Sequence, residues 1–211
     1  STKYYKMNGI DSENYLAQEG ITDYKLDESL SNDKNIVAVN DKTGEVVIAF
    51  RGTDKTNLND LEADARIAIG KEGNHNHFTE AREVMRQVIA KYGKENVRVA
   101  GYSLGGNKSW LMGNEFQVDS RSYNPFMGKT ILQRPDFNTG NKHTILRTQD
   151  DLASFQSQNL DGMSNTEVKV FKTRGGKMAG LNPFKAHADT NFTSNEDRET
   201  TKDMGVIGEK M

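Results

Sequence analysis

The chain contains no cysteine. Disulfides, thiolate metal sites and cysteine nucleophiles are therefore excluded together, and with them a small disulfide-stapled fold. Long apolar runs are also missing. The longest, Val46-Val47-Ile48-Ala49-Phe50, falls far short of the ~20 residues a helix needs to cross a bilayer, so no transmembrane segment is expected. The polar start, Ser1-Thr2-Lys3-Tyr4-Tyr5-Lys6, lacks the apolar stretch of a signal peptide. None of this assigns a compartment. Charge of one sign is not in excess: 28 Lys and Arg stand against 30 Asp and Glu, a net charge of −2. Binding of nucleic acid through bulk positive charge is not expected. No internal repeat is visible, and histidine is scarce, with four in the chain.

What is present suits one packed domain. The 211 residues are 34% hydrophobic, with 19 glycines besides, just under the ~45–50% usual for globular proteins when glycine is counted. Residues 1–34 read as a polar segment with one or two short helices. From residue 35 the pattern sharpens. Ile36–Val39 and Val46–Phe50 flank Asp41-Lys42-Thr43-Gly44 and read as a β-hairpin. Leu58, Leu61, Ala65, Ala68 and Ile69 predict a helix over about 57–69. Phe78, Ala81, Val84, Met85, Val88, Ile89 and Tyr92 mark one face of an amphipathic helix closed by Gly93. A strand at 97–100, a helix carrying Trp110, Leu111 and Phe116, and strands ending near 123, at 144–147 and at 168–171 complete the alternation. Such alternation predicts an α/β sandwich with a largely parallel central sheet. The core is expected over 35–192, followed by a polar tail at 193–211.

The most informative segment is Val97-Arg98-Val99-Ala100-Gly101-Tyr102-Ser103-Leu104-Gly105-Gly106. It places G-x-S-x-G between a predicted strand and a predicted helix. Small residues are required there because Ser103 would sit on a strained turn with neighbouring backbone close by, and the helix N-terminus would offer N–H groups to a developing oxyanion. A serine nucleophile needs a base. In the chain order serine, acid, histidine, His75 and His77 come too early and His143 precedes the best acids, which leaves His187. Asp150 and Asp151, directly after the strand at 144–147, are both candidates for the acid that orients an imidazole. Either could instead cap a helix. His75-x-His77 lacks a further nearby His or Cys ligand, so neither a metal nor another cofactor is expected.

These residues resemble the class 3 lipase family of α/β-hydrolases over roughly residues 35–192. Phe50-Arg51-Gly52-Thr53 is similar to that family's F-R-G-[ST] strand end, His77-Phe78 to its helix entry, and Asp150-Asp151-Leu152 to its D-P-V acid motif. His187-Ala188-Asp189-Thr190-Asn191-Phe192 resembles its H-x-x-x-x-[YF] element. The resemblance implies an α/β-hydrolase fold, a triad of Ser103, Asp150 and His187, and an oxyanion hole from Thr53 and the Leu104 N–H. It implies an acyl ester or lipid as substrate, including phospholipids or acylglycerols, and is compatible with transient contact at a membrane surface. Asn107-Lys108 departs from the small apolar residues usual in the first turn of the nucleophile helix. A lipase-like module without turnover, or acyl transfer or thioester cleavage by the same triad, are the rival readings. The polar segment 70–76 offers no apolar cover, and the loop at 127–142 is the other local candidate, so little activation at interfaces is expected.

Overall fold

A computed structural model describes residues 6–7, 10–11, 23–52, 76–127, 140–151 and 154–172. The hairpin is its clearest local feature. Asn40 Oδ1 accepts from the backbone N–H groups of Lys42 and Thr43 at 2.9 and 3.1 Å. Gly44, at φ 75°, then turns the chain back with its N–H on Asn40 O at 2.8 Å. This Asx-anchored turn sets strand β4 (Asn35–Asn40) antiparallel to β5 (Val46–Phe50), Val39 opposite Val46. Before it come a two-stranded ribbon, β1 (Lys6–Met7) and β2 (Ile10–Asp11), and a short strand β3 (Tyr24–Leu26).

β3 adds a strand that the sequence reading did not anticipate. Within the segment read as polar with one or two short helices, Tyr24–Leu26 pairs antiparallel with β4 and forms an edge of the main sheet. The remaining strands are β6 (Val97–Tyr102), β7 (Asp119–Tyr123), β8 (His143–Thr148) and β9 (Thr166–Phe171). They follow in spatial order β3-β4-β5-β6-β7-β8-β9, and every neighbour pair from β5 onward is parallel. The seven-stranded sheet is thus mostly parallel, as the alternating pattern requires.

Helix α1 (Asn76–Tyr92) joins β5 to β6, and α2 (Leu104–Phe116) joins β6 to β7. The i, i+3, i+4 spacing of Phe78, Ala81, Met85 and Val88 buries one face of α1 against Val46, Ile48, Val97 and Val99 of the sheet. Each large side chain buried there contributes about 1.5–3 kcal/mol. α2 adds Leu111 and Met112 to this cluster, while its Trp110 reaches a second one with Ile145 and Leu160. Trp110 also donates its indole N–H to Thr166 Oγ1 at 2.9 Å. The two helices are joined by a bidentate Arg82–Glu115 pair at 2.7 and 2.8 Å. Among the described residues, both helices pack on the same face of the sheet. The helix expected over 57–69 and the tail from 193 lie outside the described residues. So do the segment 70–75 and most of the loop at 127–142, the two places weighed for a lid.

Candidate active site

At the carboxyl end of β6 the chain changes direction at Ser103, whose φ of 55° and ψ of −122° are rare for a residue with a side chain. Such a conformation costs about 1–3 kcal/mol and persists only where the surroundings over-determine it. Three backbone hydrogen bonds do so here. Ser103 N–H donates to Tyr123 O at 3.0 Å, and its carbonyl accepts from Asn107 N and Phe126 N, both at 3.1 Å. The hydroxyl does not cap α2, and the residue is buried.

The flanking glycines are there because backbone crosses backbone. A Cβ on Gly101 would stand 2.1 Å from Gly105 O, and one on Gly105 would stand 2.1 Å from Phe50 O. Either is far inside van der Waals contact, so the first turn of α2 lies directly on the end of β5. Gly52, just beyond that strand, faces the same turn: a Cβ there would be 3.4 Å from Ser103 Cβ and 3.7 Å from Leu104 N. The strand end leading to Thr53 therefore meets the Leu104 amide, which opens α2. Thr53 itself lies outside the described residues.

The next strand over carries the turn toward the acids. Asn124, fully buried at the end of β7, accepts the Thr148 N–H on Oδ1 at 2.7 Å and donates its own N–H to Leu146 O at 2.7 Å. Backbone and amide contacts thus run from Ser103 through Tyr123 and Asn124 to the end of β8, where Gln149, Asp150 and Asp151 follow. β6 and β8 are separated by one strand, about 10 Å across the sheet. Asp150 is half-buried, while Asp151 is 2% exposed. Arg147, itself buried, directs its guanidinium to the carbonyls of Gln149 and Asp151 at 3.4 and 3.5 Å and to Gln158 Oε1 at 3.4 Å. Burial lowers the pKa of Arg147, and the charges of Asp151 and Asp150 oppose that shift.

His187 lies outside the described residues, as does His75, and the His77 side chain is not described. His143 is placed, and it is far from Ser103. It opens β8 at the opposite end of the sheet, some 15–20 Å along the strand from the Asp150 turn. Fully buried, it pairs Nδ1 with Ser120 Oγ at 2.8 Å, and burial lowers its pKa to about 4. Among the described residues no group of three or more His, Cys, Asp or Glu could hold a metal ion. Within those residues, too, no helix is long and apolar enough to cross a membrane.

Two polar residues of α2 gain partners that spacing alone could not reveal. Asn107 is fully buried and donates Nδ2 to Phe126 O at 2.9 Å, tying the helix to the loop after β7. Lys108, 6% exposed, reaches Arg51 O at 3.5 Å.

The mostly parallel sheet with flanking helices carries a strand–serine–helix turn at its carboxyl end, as the sequence predicts for an α/β-hydrolase fold. No family model matches the chain, and no curated protein does. Solved structures similar to it include a predicted CIB-like hydrolase from Thermoplasma acidophilum, with 13% identity, TM-score 0.49, 82% of this chain and 91% of that one covered. An esterase/lipase from an uncultured bacterium shows 8% identity and TM-score 0.49, over 92% of this chain and 88% of that one. A thermostable esterase from Pseudomonas putida ECU1011 shows 13% identity and TM-score 0.47, over 93% and 90% respectively. Identities this low transfer no activity.

Proposed function

We propose that the chain is a serine hydrolase of carboxylic esters, of lipase or phospholipase type. The single observation that carries this reading is Ser103, held at φ 55° between a parallel strand and a helix N-terminus by close-packed glycines. In the proposed reaction Ser103 Oγ attacks the ester carbonyl while His187 takes its proton. The tetrahedral oxyanion is met by the N–H groups of Leu104 and Thr53. His187 then gives its proton to the departing alcohol, leaving an acyl-enzyme, and water repeats the sequence to release the acid and free Ser103. Asp150 orients the imidazole and stabilises its positive form.

The test is labelling with a fluorophosphonate followed by mapping of the modified residue. We expect modification at Ser103, abolished in Ser103→Ala and strongly slowed in His187→Ala, with turnover of short-chain esters lost by several orders of magnitude in both. A folded protein that neither labels nor turns over any ester would instead fit a lipase-like module without catalysis.

A further inference from the structure

A buried lysine beside the nucleophile turn is poorly explained by packing. Lys108 lies at the wall of a cleft of about 320 Å³ formed by Phe50, the loop before β4 and the second and third turns of α1. Desolvating an ammonium is costly unless something compensates, and a methionine of similar length would fill the same space without that cost. Nearby Glu80 is already engaged: Lys34 Nζ contacts both of its carboxylate oxygens at 2.7 Å. Among the described residues, the acceptor facing Lys108 Nζ is the Arg51 carbonyl at 3.5 Å.

That carbonyl immediately precedes Gly52, the residue facing Ser103 and Leu104. α2 therefore grips the end of β5 at two levels, by backbone contact at Gly105 and, about one turn later, by the Lys108 side chain. We infer that Lys108 is a positioning residue: its ammonium holds the Arg51–Gly52 strand end in register with the Ser103–Leu104 turn. This inference rests on the serine-hydrolase reading. Removing the donor would let the strand end drift from the turn, and misplacement of about 1 Å costs up to ~10²-fold in rate.

The ammonium also titrates in a useful range. Burial lowers its pKa to about 8, with Glu80 opposing and Lys34 reinforcing the shift. The other charged side chains at the cleft are Glu83 from α1 and Asp33 from the loop before β4. Loss of the proton weakens the hold on the Arg51 carbonyl, so the clamp loosens as pH rises through that value.

The experiment measures kcat and KM for a soluble short-chain ester, and the rate of fluorophosphonate labelling, from pH 6 to 10. It uses the full chain, Lys108→Met and Lys108→Gln, with folding checked by circular dichroism. We expect Lys108→Met to lower kcat and labelling rate together by about 10–100-fold with little change in KM. Lys108→Gln, which keeps a neutral donor, should retain more activity than Lys108→Met. In the unmodified chain kcat should decline above about pH 8, and that decline should vanish in both variants. A folded Lys108→Met with unchanged kcat and the same alkaline decline would overturn the inference while leaving Ser103 as nucleophile. If Lys108→Met does not fold, an unchanged alkaline decline in Lys108→Gln overturns it equally. A chain without turnover or labelling would overturn the hydrolase reading and this role with it.

Discussion

At the scale of single residues, the acid is the assignment with the sharpest internal contest. Asp150 and Asp151 are adjacent, and both follow the same strand. Asp151 is 2% exposed and its carbonyl is held by Arg147. Asp150 is half-buried at the sheet's carboxyl end, two residues after Thr148, whose N–H is accepted by Asn124 Oδ1. The match of Asp150 to the first position of the D-P-V motif makes it the proposed acid, and burial of Asp151 makes its carboxylate the one whose loss would disturb the loop. Asp150→Asn should therefore reduce kcat by up to ~10⁴ with modest change in KM. Asp151→Asn should act chiefly on stability, costing about 1–3 kcal/mol if a buried partner is left unmatched. Turnover and thermal midpoint of the two variants decide this, and a folded Asp151→Asn with the greater loss of kcat reverses the assignment.

Whole elements show why some of this molecule was legible in the sequence and some was not. The hairpin and α1 are written in local periodicity, so Val46–Phe50 and the Phe78–Tyr92 face could be read from spacing. G-x-S-x-G carried the turn because steric demand at Gly101 and Gly105 shows directly as residue type. β3 was missed because three residues at an edge depend on their pairing with β4, a distant partner, rather than on their own pattern. β7, Asp-Ser-Arg-Ser-Tyr, looks too polar for a central strand. Its Ser122 hydroxyl meets Ser109 Oγ and Gly106 O of α2, each at 2.8 Å, so small polar side chains let helix and sheet approach closely. Asn107 and Lys108 stood out only as departures, because their acceptors, Phe126 O and Arg51 O, are backbone atoms brought near by the fold. The same close packing makes α2 vulnerable. Gly105→Ala must push the helix off β5, since its Cβ would meet Phe50 O at 2.1 Å. Strain of this kind typically costs about 1–3 kcal/mol. The expected result is a lowered thermal midpoint with a disproportionate loss of Ser103 labelling, because the displaced element adjoins the proposed nucleophile.

For the molecule as a whole, the sheet's amino-terminal end carries an acid-sensitive element independent of the proposed catalysis. His143 is fully buried between β7 and α2, with Ser120 on Nδ1 and, among the described residues, no partner on Nε2. Burial lowers its pKa from 6.5 to about 4. Below pH 6.5 the unfolded chain takes up a proton that the folded chain refuses, so folding stability falls as pH decreases. The loss is complete near pH 4 and amounts to about 3 kcal/mol at most. Asp27 acts in a separate window. Burial alone would raise its pKa, but hydrogen bonds from Lys91, Ser29 and Tyr92 outweigh that and bring it below 3.8. Its contribution is retained above that value and lost only in stronger acid. Urea midpoints measured at intervals between pH 7 and 3 should therefore drop mainly between about 6.5 and 4, with a second decline below. His143→Gln should flatten the first slope and leave the second. If the variant keeps the full decline between pH 6.5 and 4, another group is responsible for it, and the buried imidazole is not what limits this fold in mild acid.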